Sequence, residues 1–211
     1  MKIKAVGAIC GKVKQIVIND QGSRQWIGDG MAAYALPDNF PEINESSACM
    51  LFDIETDKAA DYYIRRQALA GFNVADDDDG EEHLDYDTDR RLIVDGKDLL
   101  PVSMPHRKTF FIQTRYLKPL KDAEQLQLFL RDAGTESPYI VAKDGMFVVA
   151  VIVPTPLKAS ARLWLGAIHG NAAQIRDDEW HLIRRCAPPS PQGEGYKEKR
   201  WKNAMAACAW R

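Results

Sequence analysis

The chain has 211 residues, of which 45% are hydrophobic, 9% aromatic and 27% charged, with 28 basic and 30 acidic side chains. These fractions lie within the ordinary range for a soluble globular protein. The length predicts either one domain with a tail or two small domains.

The sequence offers no membrane-spanning segment, because its longest apolar run, residues 147–153, ends at Pro154. A spanning helix needs about 18 to 20 apolar residues. The N-terminus contains Lys12 and Lys14 where a secretory signal would have its apolar core. Four cysteines without CxxC spacing fit neither a disulfide framework nor a zinc knuckle. We therefore expect a cytoplasmic protein with reduced thiols and no membrane partner. The cysteines are Cys10, Cys49, Cys186 and Cys208.

The charge is strongly segregated along the chain. Residues 76–89 contain nine acidic side chains and no Lys or Arg, so the remaining residues carry a net charge of +7. Residues 158–211 hold ten basic against five acidic side chains. A basic end of this kind suits a polyanionic partner, whereas charged segments of either sign are usually solvated surface.

The first third of the chain predicts β-hairpins. Residues 16–18 and 25–27 are apolar strand patterns that flank a turn-forming cluster at residues 19–23. Residues 28–30, Gly-Asp-Gly, predict a tight turn before a strand at 31–36, because they lack the lysine of a phosphate-binding loop.

Two helices are predicted next. The first covers residues 45–52, with Asn44 as its N-cap and Ser47 three residues later. The second covers about residues 57–70, since four apolar side chains share one helical face and Gly71 follows as a stop signal. The apolar side chains are Ala60, Tyr63, Ile64 and Ala68, and Asp61 is spaced to pair with Arg65.

The acidic residues 76–89 lack any apolar period. Such a segment cannot bury enough apolar surface to offset the entropy lost on ordering. We expect a mobile loop that divides the chain into two halves.

The second half predicts further strands. Residues 91–94 and 99–102 flank an Asp-Gly turn, and residues 109–112 form another strand. A short basic helix is expected at 115–122, where Pro119 would be tolerated only in the first turn. Residues 124–131 fit a strand by alternation and a helix by propensity. The clearest hairpin pairs residues 139–142 with 147–153, and its second strand is apolar on both faces, as in a central strand.

The last 54 residues predict helices and a linker. Apolar spacing and charge order indicate helices at 157–168 and 177–185, and the Pro- and Gly-rich residues 188–195 indicate a linker. Residues 197–209 form a basic amphipathic pattern that would dock on its own core, on nucleic acid or on an anionic membrane.

No motif in the sequence specifies a catalytic or metal chemistry. In an EF-hand register on Gly80, Ala75 and Tyr86 would occupy the first and twelfth ligand positions, which excludes that site. The pair Asp177 and His181 matches no zinc spacing. The Ser103 and His106 pair does not sit on a nucleophile turn. We therefore expect no enzyme activity, no metal and no cofactor.

One resemblance to a known family covers residues 110–157. The order is a strand, a basic helix start at Arg115-Tyr116-Leu117-Lys118-Pro119-Leu120, alternating leucines and a hairpin whose apolar strand ends at Pro154. This order resembles a half-domain of the DNA sliding clamps, the polymerase processivity factors. Residues 26–34, with their Asp-Gly turn, look like the clamp hairpin. The same stretches are also similar to uncharacterised prophage-encoded proteins.

The resemblance implies a set of contacts to duplex DNA. Clamps hold DNA through phosphate contacts from helices and do not read bases. Exposed lysines and arginines on short helices are otherwise usually solvated. Clamp subunits contain two or three complete domains whereas this chain would supply one, so a closed ring would need several copies. The resemblance also implies that exposed apolar residues at 153–157 of this chain would offer a groove for partner peptides, as they do in that family. The DNA contacts would be Arg115, Lys118 and Lys121 in the second half and Lys58, Arg65 and Arg66 in the first.

The sequence thus predicts an α+β protein with two strand-rich halves, short helices and a clamp-like fold, followed by a basic helical C-terminal segment. The predicted boundaries are 1–74 for the first half, 75–91 for the acidic loop, 92–157 for the second half and 158–211 for the C-terminal segment.

Three functions compete at this level. The leading hypothesis is a non-enzymatic, DNA-associated accessory protein of phage type, acting in DNA replication. The second is a protein-binding module or inhibitor that uses the acidic loop 76–89 to imitate nucleic acid or to engage a basic partner. Its partner-binding residues would be Asp76, Asp77, Asp78 and Asp79. The third is a small hydrolase or metal enzyme with residues drawn from His106, His169 and His181.

Overall fold

The computed structural model describes residues 1–21, 24–69, 71–104, 109–132 and 137–157. Within these residues the chain forms eleven strands and a few short helices, which confirms the α+β class. Met1–Pro156 forms one unit. The predicted basic C-terminal segment 158–211, including its linker 188–195, lies outside the described residues.

Short helices precede and interrupt the series of strands. The helices are α1 (Ile3–Val13), α2 (Glu45–Leu51), α3 (Thr56–Ala59) and the 3₁₀ helix η1 (Thr114–Leu120). The strands are β1 (Gln15–Gln21), β2 (Arg24–Gly28), β3 (Ala32–Ala35), β4 (Tyr63–Ala68), β5 (Glu82–Tyr86), β6 (Leu92–Val94), β7 (Lys97–Ser103), β8 (Thr109–Gln113), β9 (Leu126–Arg131), β10 (Tyr139–Asp144) and β11 (Phe147–Ile152).

All eleven strands belong to one hydrogen-bonded sheet. Its order is β4-β1-β2-β3-β11-β10-β9-β5-β7-β6, and β8 pairs with β7. The β1–β4 ladder is parallel, with Val17 opposite Arg65, and the other ladders are antiparallel. Strand β3 pairs with β11, so strands from both parts of the sequence meet in the middle of the sheet.

A helix followed by three antiparallel strands occurs twice in this sheet. The first copy is α1-β1-β2-β3 and the second is η1-β9-β10-β11. Their third strands pair with each other, so the order of these six strands is symmetric about the β3–β11 ladder.

The sheet has an apolar core on each face. The larger core lies under α1, α2 and η1 and includes Val6, Tyr34 and Tyr116. The smaller core surrounds Trp26 and Tyr139 on the other face, where Leu69, Phe72 and Val74 pack against it. Burial on both faces explains the continuous apolar pattern of β11, and its central position was predicted correctly.

Several local predictions are confirmed. The β1–β2 and β10–β11 hairpins, β3 and the β6–β7 pair form as expected. Helix α2 begins at the predicted cap, where Asn44 and Ser47 exchange side-chain-to-backbone hydrogen bonds. A short helix occurs at η1, and the ambiguous residues that follow it form the strand β9.

The predicted helix over residues 57–70 is wrong. Only Thr56–Ala59 is helical, and Tyr63–Ala68 forms the edge strand β4. Asp61 pairs with Lys14 instead of Arg65. Pairing with β1, more than forty residues earlier in the chain, decides the conformation, and local helical spacing cannot report that partner.

The mobile loop predicted for residues 76–89 is also wrong. Glu82–Tyr86 is the strand β5, which pairs with β9 and β7. Leu84 is fully buried and Tyr86 packs against the larger core, so the segment does have an apolar period of two residues. The many carboxylates obscured that alternation.

Helix α1 has no counterpart among the predicted elements. Val6, Ile9 and Cys10 are its buried residues and have the spacing of one helical face. The helix ends at Lys14, whose φ of 54° is left-handed. Gly7 allows close packing, because a Cβ atom there would lie 2.8 Å from Cδ1 of Phe52.

Candidate functional site

Helices α1 and η1 lie side by side on one face of the sheet. The backbone N–H of Lys2 donates to the carbonyl oxygen of Pro119 at 2.8 Å, and Lys2 Nζ lies 2.9 Å from Asp122 Oδ1. Both helices bury their apolar residues in the larger core. We call this pair of helices, with the flanking residues Lys2, Lys14 and Lys121, the helical layer.

A buried hydrogen-bond network joins the helical layer to the β2–β3 turn. Asp29 Oδ1 accepts hydrogen bonds from the backbone N–H groups of Met31 and Ala32, which fixes the tight turn predicted from the sequence. Its other oxygen, Oδ2, accepts from the Tyr116 hydroxyl at 3.0 Å and lies 3.5 Å from Arg115 Nη2. Asp29 is only 4% exposed, so this carboxylate ties η1 to the sheet.

A second link between η1 and the sheet is a hydrogen bond from Tyr34, and it is needed because of Pro119. In a 3₁₀ helix the N–H of residue 119 would donate to the carbonyl of residue 116, but proline has no N–H. The Tyr116 carbonyl oxygen instead accepts from the hydroxyl of Tyr34 at 2.8 Å. Our expectation that Pro119 would occupy a first helical turn is wrong, because Tyr34 supplies the missing donor.

The same network contains groups with altered acidity. Burial, together with the nearby carboxylate of Asp29, raises the pKa of Tyr116 and that of Cys10, each to about 12. Burial likewise raises the pKa of Tyr34. The Cys10 thiol therefore stays protonated near neutral pH and is a poor nucleophile.

The only charged side chains on the two helices of the helical layer are basic. Neither Ile3–Val13 nor Thr114–Leu120 contains an acidic residue. Four lysines of the layer are exposed and have no ion-pair partner among the residues that the structure describes. They are Lys4, Lys12, Lys118 and Lys121.

The three second-half residues predicted to bind DNA differ in their surroundings. Lys118 on η1 and Lys121, which directly follows that helix, are exposed. Arg115 is only 20% exposed, donates to the Tyr116 hydroxyl at 2.8 Å and lies over the Tyr116 ring. Arg115 therefore holds η1 in place, while the two lysines face solvent.

The three first-half residues predicted to bind DNA lie elsewhere, on α3 and the edge strand β4. Lys58 pairs with Glu55 on α3. Arg66 pairs with Asp20 and with Glu42, and its hydrogen bond lowers the pKa of Asp20. These residues do not converge with Lys118 and Lys121 on one surface. Arg65, the remaining member, is half-buried.

The acidic segment is folded onto the sheet. Asp76 Oδ1 accepts from the backbone N–H of Val148 at 2.8 Å, and Asp78 accepts from the Asn73 side chain at 2.8 Å. Asp77 and Asp79 are exposed. Two of the four predicted partner-binding residues thus make internal contacts.

Glu81 completes the attachment of this segment by pairing with two buried cations. Arg131, only 1% exposed, donates to Glu81 Oε2 at 2.7 Å through Nη2, and Lys143 pairs with Oε1 of the same carboxylate. Arg131 Nη1 also donates to the backbone carbonyl of Asn73 at 2.7 Å. The network fixes the connection between β4 and β5 against the face of the sheet that carries the smaller core.

Comparisons with protein-family models, with curated proteins and with solved structures found no match to this chain.

The residues considered for an enzyme or metal site mostly lie outside the part of the chain that the structure describes. His106, His169, His181 and Cys186 lie outside the described residues. Among the residues that are described, no group of three or more His, Cys, Asp or Glu side chains is arranged to hold a metal ion. None of the described helices has the length and apolar character needed to cross a membrane.

An open cleft of about 430 Å³ lies between β1, β2 and the loop that follows β3. Its charged groups already satisfy one another: Arg24 pairs with Asp38, and Arg66 pairs with Asp20 and Glu42. Of the described charged groups that line this cleft, none is left for a ligand.

Two lysines of the helical layer were not among the DNA contacts predicted from the sequence. Lys4 and Lys12 lie on α1, a helix that was not predicted. The signal that would have found them is the spacing of Val6, Ile9 and Cys10, which sets a buried stripe and leaves both lysines facing solvent.

Proposed function

We propose that this chain is a non-enzymatic, clamp-like accessory protein that associates with duplex DNA through its helical layer. The observation that carries the proposal is the charge of that layer. Two adjacent helices contain no acidic residue, and Lys4, Lys12, Lys118 and Lys121 have no ion-pair partner among the described residues.

The chemistry of the layer favours phosphate contacts over base recognition. Lysine ammonium groups bind phosphates as point charges and release counterions from DNA. The one aromatic residue of the two helices, Tyr116, is buried, so the helices themselves expose no platform on which a base could stack. We therefore expect binding that is independent of sequence and strongly dependent on salt.

The repeated order of helix and three strands gives the proposal its second support. In both copies the helix lies on the same face of the sheet, and the third strands pair at β3–β11. This repetition supports the proposal, because residues 110–157 resemble one half-domain of a clamp and the first copy has the same order of elements. It also explains why the two helices lie next to each other and combine their lysines.

The test is equilibrium binding of a blunt 30-base-pair duplex, measured by fluorescence anisotropy across a series of potassium chloride concentrations. We compare the wild-type chain with Lys118→Gln/Lys121→Gln. Each phosphate contact contributes about 0.9 to the slope of log K against log salt concentration. The double variant should lower that slope by about 1.8 and weaken binding at low salt.

The matched control is Lys97→Gln, which removes an exposed lysine on β7, outside the helical layer. This variant should bind like the wild type. Absence of duplex binding at low salt, or equal slopes for the double variant and the control, would contradict the proposal.

The protein-binding hypothesis has narrower support. Only Asp77 and Asp79 of the four predicted aspartates remain exposed and free of described partners, because Asp76 and Asp78 bind within the chain. Asp77→Asn/Asp79→Asn provides the discriminating variant. It should leave DNA binding intact if the helical layer is the functional surface.

A further inference from the structure

An exposed aromatic ring and a cation lie side by side at the start of β4. Tyr63 is 61% exposed, and its backbone N–H donates to the carbonyl oxygen of Lys14 at 2.9 Å, directly after the end of α1. The guanidinium carbon of Arg65 lies 5.9 Å from the centre of the Tyr63 ring. The pair therefore adjoins the helical layer.

Strand geometry places both side chains on the same face. Ile64 packs against the larger core, so its neighbours Tyr63 and Arg65 project to the other face of the sheet. Arg65 has no acidic partner among the described residues, and its Nε atom is buried without a hydrogen-bond partner there. The guanidinium therefore has no counter-charge there, and its terminal nitrogens, not the buried Nε, would have to meet an anionic ligand.

The other aromatic residues that the structure describes lack this combination. Phe147 is 59% exposed at a hairpin tip, but no described cation lies over its ring. Tyr62 is half-buried, with the ammonium of Lys14 4.7 Å from its ring centre. Within the described part of the chain, Tyr63 alone combines a largely exposed ring with a neighbouring cation that has no counter-charge.

We propose that Tyr63 and Arg65 bind an unpaired base of single-stranded nucleic acid. The base stacks on the tyrosine ring while Arg65 contributes charge to the adjacent phosphate, which is the chemistry of sequence-independent single-strand binding. The inference rests on the proposed function, because the helical layer would hold the neighbouring duplex. The preferred ligand is a duplex with a single-stranded overhang.

The position of the pair explains why a single strand is required. The lysines of the helical layer and the Tyr63 ring lie on opposite faces of the sheet, and Tyr63 is on the edge strand β4, next to the end of α1. Duplex DNA has a persistence length of about 50 nm and cannot follow such a turn, whereas a single strand can.

The experiment compares three ligands by fluorescence anisotropy: a blunt duplex, the same duplex with a ten-thymidine overhang, and a free twenty-thymidine oligonucleotide. The overhang should strengthen wild-type binding about tenfold, as expected for stacking of one base. Tyr63→Ala should remove this gain, and Tyr63→Phe should retain it because the ring remains. Arg65→Gln should reduce the gain and lower its salt dependence.

Phe147→Ala is the matched control, since it removes an equally exposed ring that lacks a described cation, and it should behave as the wild type. Duplex binding with no gain from the overhang, or a gain that survives Tyr63→Ala, would overturn this inference and leave the proposed function intact. Tyr63-dependent binding of oligothymidine without any duplex binding would overturn the proposed function and support this inference.

Discussion

The hydroxyl of Tyr34 donates a hydrogen bond to the carbonyl oxygen of Tyr116 at 2.8 Å, at the position where Pro119 cannot supply the helical donor. Tyr34 lies on β3 in the first repeat and Tyr116 on η1 in the second. The two repeats are thus joined both by the β3–β11 ladder and by this buried bond.

Removal of the bond should destabilise the fold. Tyr34→Phe leaves the buried Tyr116 carbonyl without its donor and should lower the free energy of unfolding by about 1 to 2 kcal/mol, measured by urea denaturation. In a Pro119→Ala background the same change should cost less, because alanine restores a backbone N–H that can reach this carbonyl. An equal cost in both backgrounds would show that proline does not create the need for Tyr34.

The Glu81 network should dominate the attachment of the acidic segment. Glu81→Gln leaves Lys143, which is 8% exposed, without its anion, and leaves the 1% exposed Arg131 with only the more distant Asp78, whose Oδ2 lies 3.7 Å from Nε. The expected loss in unfolding free energy is about 3 kcal/mol. Glu81→Gln/Lys143→Met should recover part of it, since one uncompensated buried charge is removed.

The exposed pair of Glu55 and Lys58 serves as the control for this loss, because both side chains are more than half exposed. Glu55→Gln should change the free energy of unfolding by less than about 1 kcal/mol. A comparable loss from both variants would mean that burial does not set the strength of the Glu81 network.

The stability of the fold should decrease at alkaline pH because of Cys10. The unfolded thiol has a pKa of about 8.5, whereas burial raises the pKa of the native thiol to about 12. The native state therefore retains a proton that the unfolded state releases. Its stabilisation is fully present below about pH 8.5 and is lost as the pH rises through the native pKa, by about 1.4 kcal/mol per pH unit.

Both Cys10→Ala and Cys10→Ser should flatten this decline between about pH 8.5 and 10, below the range in which unfolded tyrosines ionise. The two variants differ in packing, so their stabilities at pH 7 report that cost separately. An unchanged slope in both, measured by denaturation at each pH, would contradict the role assigned to the Cys10 thiol.

Gly28 should be intolerant of substitution. A Cβ atom at this position would lie 1.7 Å from the carbonyl oxygen of Ala32, a backbone atom that cannot move independently of the β2–β3 ladder. Gly28→Ala should lower the free energy of unfolding by more than about 3 kcal/mol. Gly80→Ala should cost much less, because its nearest contact is a side-chain oxygen of Asp78 at 3.3 Å.

The elements that the sequence predicted correctly have local physical causes. The helix at α2 is fixed by the reciprocal cap of Asn44 and Ser47, and the β6–β7 turn by Asp95 and Gly96, both of which have positive φ. The exposed lysines in and directly after η1 could also be predicted from the sequence, because the start of that helix is specified by neighbouring residues.

The incorrectly predicted elements depend on partners distant in the sequence. Strand β4 has helical spacing and becomes extended because β1 supplies its ladder, while β5 lies in the acid-rich segment and is ordered by β9 and β7. Lys4 and Lys12 are a different case, because α1 was not predicted although Val6, Ile9 and Cys10 have its helical spacing.

The sequence by itself determined the α+β class, the local hairpins and the separation of basic from acidic segments, because turn chemistry, capping and apolar alternation act over a few residues. Only the tertiary structure decided that α1 and η1 lie together, that Arg115 is held by Asp29, and that Glu81 neutralises Arg131 and Lys143. Those contacts depend on packing between residues far apart in the chain, which no local pattern encodes.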